Sequence, residues 1–353
     1  MSPVPRIWMR SEQRATEHRA PIVPADAANL VARGCELVVE DSPHRLFPAG
    51  EYAAAGATIV PAGTWPSASV DTFVLGIKEL PPEPAALRHT HIFFSHSFKG
   101  QPGAAELLGR FAAGGGTILD LEYLTDVAGR RLAAFGYWAG YVGASLAVLH
   151  RRGRLPVPLT PTARAALDAA LERRPGDAPL RGLVIGALGR CGSGAGDALR
   201  AAGVEVTGWD LAETRDLDRV AIRAHDLLVN AVLVNAPAEP FVTDADVVDA
   251  SRRLSVIADV TCDVGSPHHL IPVYAETTSW AAPVVDAGTP HAPLDVIGID
   301  NLPSLLPREA SAAFSADLTP LLARLDTSDE VWHRCRSRFV SARDTVTAEV
   351  SHV

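Results

Sequence analysis

Three apolar runs early in the chain stop at residues that can hold or move protons. "GIKEL" ends on Lys78 and Glu79, "SHSFK" brings His96 and Lys99, and "LDLEYL" carries Glu122; the basic pair Arg130 and Arg131 of "GRR" follows. In an α/β sheet, ligands bind outside the carboxyl ends of the strands, so polar residues just after apolar runs fall on the binding side. A lysine that is desolvated or close to other cations can act as a base near neutrality. Histidine titrates there without help, and neighbouring Arg and Lys suit a substrate with several carboxylates. Each residue also fits a plainer role. Lys78 and Glu79 fit a solvated strand end, His96 a hydrogen-bonded core histidine, and Arg130–Arg131 a loop charge. Together they point to an enzyme acting on an anionic substrate.

A second constellation lies in "LVIGALGRCGSGAGDALRAAGVEVTGWD", residues 183–210. Gly186, Gly189 and Gly192 follow an apolar strand and open a helix, and the next strand ends on Asp210. A strand, glycine turn, helix and strand with an acid about 20 residues on is the dinucleotide-binding arrangement. Glycine lets backbone N–H groups approach a pyrophosphate, and the helix N-terminus adds partial positive charge. Asp210 would accept hydrogen bonds from ribose hydroxyls and repel a 2′-phosphate, which favours NAD over NADP. The spacing is G-x-x-G-x-x-G, and close helix–strand packing would ask for the same glycines.

The elements needed to position these residues are legible as an alternation. "RIWMR", "CELVVEDS", "ATIV", "TFVLGIKEL", "HIFFSHSFK" and "GTILDLEYL" read as strands, separated by helices such as "VPADAANLVARG" and "GAAELLGRFAAGG". That order implies a mostly parallel sheet with helices on both faces. After two helices, "WAGYVGASLAVLHRRG" and "TPTARAALDAALERR", comes a second α/β unit. Its strands "LVIG", "VEVTGWD", "HDLLVNAV", "LSVIADVTCD" and "LDVIGID" end in polar residues. The tail, "FSADLTPLLARL" to "VWHRCRSRFVSARDTV", reads as terminal helices able to pack on the first unit. The expected fold is α/β, with two Rossmann-like domains and parallel sheets. Residues 1–135 plus 318–353 form the catalytic domain and residues 136–317 the NAD-binding domain.

Composition narrows the function classes. The chain has 353 residues, 47% hydrophobic and 21% charged, with a net charge of −9. No broad basic field is present to attract nucleic acid or anionic lipid. No apolar run reaches membrane-spanning length, and "MSPVPRIWMRSEQR" lacks a signal-peptide core, so a cytoplasmic protein without membrane or nucleic-acid partners is expected. Cys35, Cys191, Cys262 and Cys335 form no C-x-x-C pair. The histidines of "HTHIFFSH" and "SPHH" lack metal-ligand spacing, and no metal is expected.

The motifs "R-x-E…EHRAPIVP", "VEDSPHRLF", "GIKELP", "SHSFKGQPG", "LDLEYL", "GRRLAAFGYWAG", "IGALGRCGSGA", "WDLAET" and "IDNLPSLLPREAS" run in order from about residue 6 to about residue 320. Together they resemble saccharopine dehydrogenase, in its NAD-dependent, lysine-forming form, a relative of alanine dehydrogenase. The family oxidises saccharopine, a secondary amine joining lysine and glutarate, to lysine and 2-oxoglutarate. The resemblance implies a cleft between the two domains as active site, NAD as cofactor, and saccharopine, lysine and 2-oxoglutarate or analogues as small-molecule partners. A monomer or weak homo-oligomer is expected.

By position, Lys78 and His96 match the family's acid–base pair. Arg19, Lys99 and Arg131 match holders of substrate carboxylates, and Glu79 and Glu122 match acids that tune the two bases. Thr261, Cys262 and Asp263 match substrate contacts. Gln101, Arg130, Phe135, Gly189, Arg190, Asp210, Thr214, Val260, Ile299, Asp300, Asn301 and Leu302 match cofactor contacts, beside Gly186 of the turn; Phe135 also adjoins the substrate. Ala231 and Leu233 stand where the fungal pattern has Cys and Tyr, so Cys191 has no disulfide partner there, and Cys262 replaces a smaller residue. Other readings are an opine-type dehydrogenase joining 2-oxoglutarate to a different amine, an alanine dehydrogenase, and an NAD-binding protein without turnover.

Overall fold

The computed structural model describes residues 5–99, 101–234, 236, 238–325 and 329–351. The chain divides into two compact units, residues 1–134 with 310–353, and residues 135–309.

In the first unit the chain runs β1 (Arg6–Met9), α1 (Pro24–Ala32), β2 (Glu36–Glu40), α2 (Ala49–Ala54), β3 (Thr58–Val60), β4 (Phe73–Leu75), β5 (Thr90–Phe93), α3 (Ala104–Gly114) and β6 (Thr117–Asp120). The six strands are all parallel in the order β3-β2-β1-β4-β5-β6. Most residues of β2, β4, β5 and β6 are buried, as a sheet covered on both faces requires, whereas the edge strand β3 is exposed or half-buried. "TFVLGIKEL" forms a shorter strand than its apolar content suggests: β4 ends at Leu75, before the charged residues.

The second unit begins with α4 (Gly136–Arg151) and α5 (Arg164–Leu171), followed by β7 (Arg181–Ile185), α6 (Arg190–Ala201), β8 (Glu205–Trp209), α7 (Leu211–Thr214), α8 (Arg219–Arg223), β9 (Leu227–Asn230), α9 (Asp244–Val247), β10 (Val256–Asp259), β11 (Val285–Asp286) and β12 (Asp295–Ile297). Its sheet order is β11-β12-β10-β9-β7-β8. Every pairing is parallel except the two-residue edge strand β11, which runs antiparallel to β12. Two apolar clusters cover the sheet. One is built from α4, α5 and α6 with Val184 and Val229; the other includes Leu183, Ile257 and Tyr274.

Helices α10 (Pro307–Leu322) and α11 (Glu330–Ser351) complete the chain. The return to the first unit falls at Ala310, eight residues before the expected boundary. Buried hydroxyls explain the early return: Ser311 and Ser315 Oγ accept the N–H groups of Ala20 and Val23 at 2.9 and 3.0 Å. On α11, Phe339 packs edge-on to Phe111 of α3 with ring centroids 5.8 Å apart. Among the described residues no helix is long and apolar enough to cross a membrane, and Cys35 and Cys335 are buried.

Candidate active site

In both sheets the chain reverses its direction of travel once: between β1 and β4 in the first, and between β7 and β9 in the second. Ligands of open parallel sheets bind at the carboxyl ends of the strands flanking such a point. Of the sequence-derived candidates, Lys78 and Glu79 follow β4, and Gly186 follows β7.

In the first unit, Lys78 follows β4 and His96 follows β5, and the two segments are joined where Phe94 N–H donates to Ile77 O at 3.1 Å. His96 is exposed and takes the left-handed backbone conformation at φ 48°, a region uncommon for a residue with a Cβ. Buried Asp120, the last residue of β6, holds the turn: its Oδ2 accepts Ser95 N–H at 3.2 Å and Ser95 Oγ at 2.5 Å, while Oδ1 accepts Glu122 N–H at 2.7 Å. One carboxylate thus ties the His96 segment to the Glu122 segment. Burial pushes the Asp120 carboxyl up, against the opposing pull of Ser95.

Glu122 is the hub of the cationic residues. Its Oε1 receives Lys99 Nζ at 2.9 Å and Arg131 Nη2 at 2.7 Å. Burial would raise the Glu122 carboxyl, but Lys99 and Arg131 outweigh it and hold it below its ordinary range. Glu79 behaves likewise: partial burial opposes its charge, and the ion pair with Arg14 pulls its carboxyl down. Arg19 is buried and grips Glu17 through two nitrogens at 2.8 and 2.6 Å. Arg130 is exposed and pairs with Asp126 at 2.8 Å, and Gln101 Oε1 accepts Lys99 N–H at 2.8 Å.

The second unit builds its strand ends from backbone. Gly186 follows β7 at φ 86°, and a Cβ there would stand 2.9 Å from Ala231 O, just past β9. A Cβ at Gly192 would overlap Gly186 O, whereas one at Gly189 would lie 3.3 Å from that oxygen. Gly186 and Gly192 are therefore the glycines that the fold demands, and the cradle at the start of α6 exists because no side chain fills it. A pyrophosphate bound by N–H groups needs such a cradle. Asp210 Oδ2 accepts Leu188 N–H inside the glycine turn at 3.0 Å, and Oδ1 accepts Leu211 N–H at 3.0 Å. Glu213 completes a capping box on α7, and Thr214 Oγ1 donates to Asp210 O at 2.9 Å. Asp210 thus braces the turn as well as closing β8. Arg190, exposed, is the first residue of α6.

The remaining candidates divide by burial. Phe135 sits at the N-cap of α4, within the second unit. Ile299 and Leu302 are core side chains and Val260 packs against them, so these three offer a ligand chiefly their backbone; Asn301 is also buried, and Asp300 is exposed. Thr261 Oγ1 donates to Val232 O at 3.0 Å, and Asp263 O accepts Ser266 N–H. Cys262 stands at φ 39°, its N–H donating to Asp259 Oδ1 at 3.1 Å. Asp259, fully buried at the end of β10, also accepts Asn230 Nδ2 at 2.9 Å and Tyr274 OH at 2.8 Å. Asp120, Asp259 and Asn230 were not singled out by motif, although each is the polar residue that closes an apolar strand.

Fold and site together define a class of two α/β units, one with a glycine turn opening a helix and one with titratable residues at its strand ends. Models of the alanine dehydrogenase/PNT N-terminal and C-terminal domains match residues 8–142 and 197–349. The chain is 39% identical to saccharopine dehydrogenase [NAD(+), L-lysine-forming] of Emericella nidulans, over 95% of this chain and 96% of that one. It is 40% identical to the enzyme of the same name from Yarrowia lipolytica, with the same coverage. The chain belongs to the NAD(+)-dependent, L-lysine-forming saccharopine dehydrogenase family. Among solved structures, an L-alanine dehydrogenase superposes with a TM-score of 0.70 at 18% identity, over 98% of this chain and 99% of its own. A transhydrogenase from Sinorhizobium meliloti gives 0.67 at 18% identity, over 93% and 97%. At that identity these two speak for the fold.

Proposed function

We propose that this protein oxidises saccharopine with NAD⁺ and water to L-lysine, 2-oxoglutarate and NADH, and runs the reverse condensation. The observation that carries the reading is the cluster on adjacent strand ends of the first unit, where Lys78 and His96 leave β4 and β5 beside the Lys99–Glu122–Arg131 triad. Residues 1–134 with 310–353 act as the catalytic domain, and residues 135–309 as the NAD-binding domain.

When bound, the nicotinamide cofactor would supply the acceptor for hydride from the glutarate α-carbon. Lys78 removes the proton from the secondary ammonium, which frees the nitrogen lone pair for that oxidation and leaves a C=N bond in the substrate. His96 deprotonates the water that adds to this bond and returns that proton to nitrogen; as the C–N bond breaks it takes the proton of the carbinolamine hydroxyl, which becomes the keto oxygen. Arg19, Lys99 and Arg131 hold substrate carboxylates, with Glu17 and Glu122 as their counter-ions until substrate arrives. The glycine turn and the α6 N-terminus hold the pyrophosphate, and Asp210 the adenosine ribose, which favours NAD over a 2′-phosphorylated cofactor. Cys262 lies in the segment proposed to meet the amino-acid half of the substrate. The alternative amine of an opine-type enzyme is therefore tested directly: lysine, ornithine and other diamines are compared with 2-oxoglutarate and NADH in a steady-state assay. Lysine should give the highest kcat/KM. Faster turnover of another amine, or none of any, would overturn the assignment.

A further inference from the structure

The family motif that the proposed reaction leaves without a role is "R-S-E", residues 10–12. It lies where the first sheet stops being a sheet. Arg10 N–H still donates to Leu75 O at 2.9 Å, the last rung between the β1 and β4 segments. Past Gly76, whose N–H donates to Ile92 O at 2.9 Å, two amides find a side chain instead: Ile77 N–H donates to Glu12 Oε1 at 2.6 Å and Lys78 N–H to Glu12 Oε2 at 3.0 Å. Arg10 Nη2 donates to Lys78 O, and Arg10 Nη1 pairs with Glu12 Oε2 at 3.2 Å. The Arg10 guanidinium crosses directly over Gly76, where any Cβ would collide with it.

Both side chains are almost entirely out of water, at 1% and 5% exposure. Burying an ion pair is costly, and apolar residues of similar volume usually serve stability as well. Burial pushes the Glu12 carboxyl up, with Arg10 as the main opposing influence. A fold needing only to finish two rungs of a ladder would not require a buried carboxylate and guanidinium. What the pair does achieve is to grip the Lys78 peptide at both its N–H and its C=O.

We infer that Arg10 and Glu12 are positioning residues for Lys78, a clamp that fixes the Lys78 backbone where the sheet ladder no longer can. The inference rests on Lys78 being the acid–base residue of the proposed reaction. A displacement of about 1 Å at a reacting group can cost on the order of 10²-fold in rate. The clamp therefore acts on kcat, while cofactor binding, a property of the other unit, is left alone.

Two variants test this by separate routes. Glu12→Gln turns one acceptor oxygen into a donor facing a backbone N–H; Gly76→Ala keeps both residues and displaces the Arg10 guanidinium. Steady-state kinetics with lysine, 2-oxoglutarate and NADH are measured beside NADH binding by fluorescence. The expected result is a kcat lowered roughly 10- to 100-fold in both, with wild-type KM and binding for NADH. Wild-type kcat in either folded variant overturns the clamp. Should Glu12→Gln not fold, Gly76→Ala decides alone; loss of folding or of NADH binding in both also overturns it, because the pair would then serve the fold and not the lysine. An inactive wild type would instead defeat the functional reading beneath it.

Discussion

The two sheets each have one reversal point, though in different strand orders, and the units finish their strands differently. In the first unit the strand ends carry Lys78, His96, Lys99 and Glu122, and buried carboxylates from Glu12 and Asp120 hold the backbone beneath them. In the second, the opening strand β7 runs into a glycine turn whose shape excludes side chains, braced by Asp210. Under the proposed function, the difference follows from what each would handle. Proton transfer needs titratable groups at set positions, whereas a pyrophosphate is held by backbone N–H groups that must be approached closely. Substitutions in the first unit should act on rate and on the dicarboxylate, and those in the second on the dinucleotide.

The largest break in that pattern should come from Lys78→Met, expected to lower kcat by about 10²–10⁴, the range for losing a general acid–base group. Gly192→Ala forces a methyl against Gly186 O, and overpacking of about 1–3 kcal/mol should weaken NADH binding roughly 10- to 100-fold. Asp210→Ser removes both the proposed ribose acceptor and the brace on Leu188. NADH affinity should fall by about tenfold while NADPH affinity rises, read by paired titrations. Glu122→Gln releases Lys99 and Arg131 from their internal partner. Both cations are more than a third exposed, and such pairs are worth roughly 0.2–1 kcal/mol, so KM for 2-oxoglutarate should drop by less than about fivefold.

A separate effect concerns stability. His91 is fully buried among Trp65, Phe93 and Phe111, and burial holds its imidazole well below the ordinary value, with Arg10, His89 and Arg110 adding to the shift. The unfolded chain therefore takes up the proton first as pH falls. Stability contributed by neutral His91 is complete above about pH 6.5 and is lost below it, at up to about 1.4 kcal/mol per pH unit until the lowered folded value is reached. His91→Leu should flatten the decline of melting temperature in that acidic window, and an unchanged slope would place the acid sensitivity elsewhere.

Much of this was legible in the sequence. The glycine turn announces itself because close backbone approach leaves few choices of residue, and Lys78, His96 and Glu122 stand out as charges ending apolar runs. Glu12 and Asp120 were not legible as holders of those groups: a carboxylate that accepts backbone N–H bonds leaves no periodic trace. The edge strand Val285–Asp286 is too short to carry a pattern. The return of the chain at Ala310 depends on Ser311 and Ser315 meeting amides some 290 residues earlier, a pairing that local sequence does not encode. Ile299 and Leu302, matched to cofactor contacts by motif, also belong to the core, which the motif could not distinguish.

The division of labour is tested most directly by crossing its two halves. NADH affinity and turnover at saturating NADH are measured on the same preparations of Lys78→Met and Gly192→Ala. Lys78→Met should bind NADH as the wild type does and stay slow at saturation; Gly192→Ala should bind poorly and recover its rate when NADH is raised. A Lys78→Met protein that turns over normally, or a Gly192→Ala protein that binds NADH normally, would contradict the account.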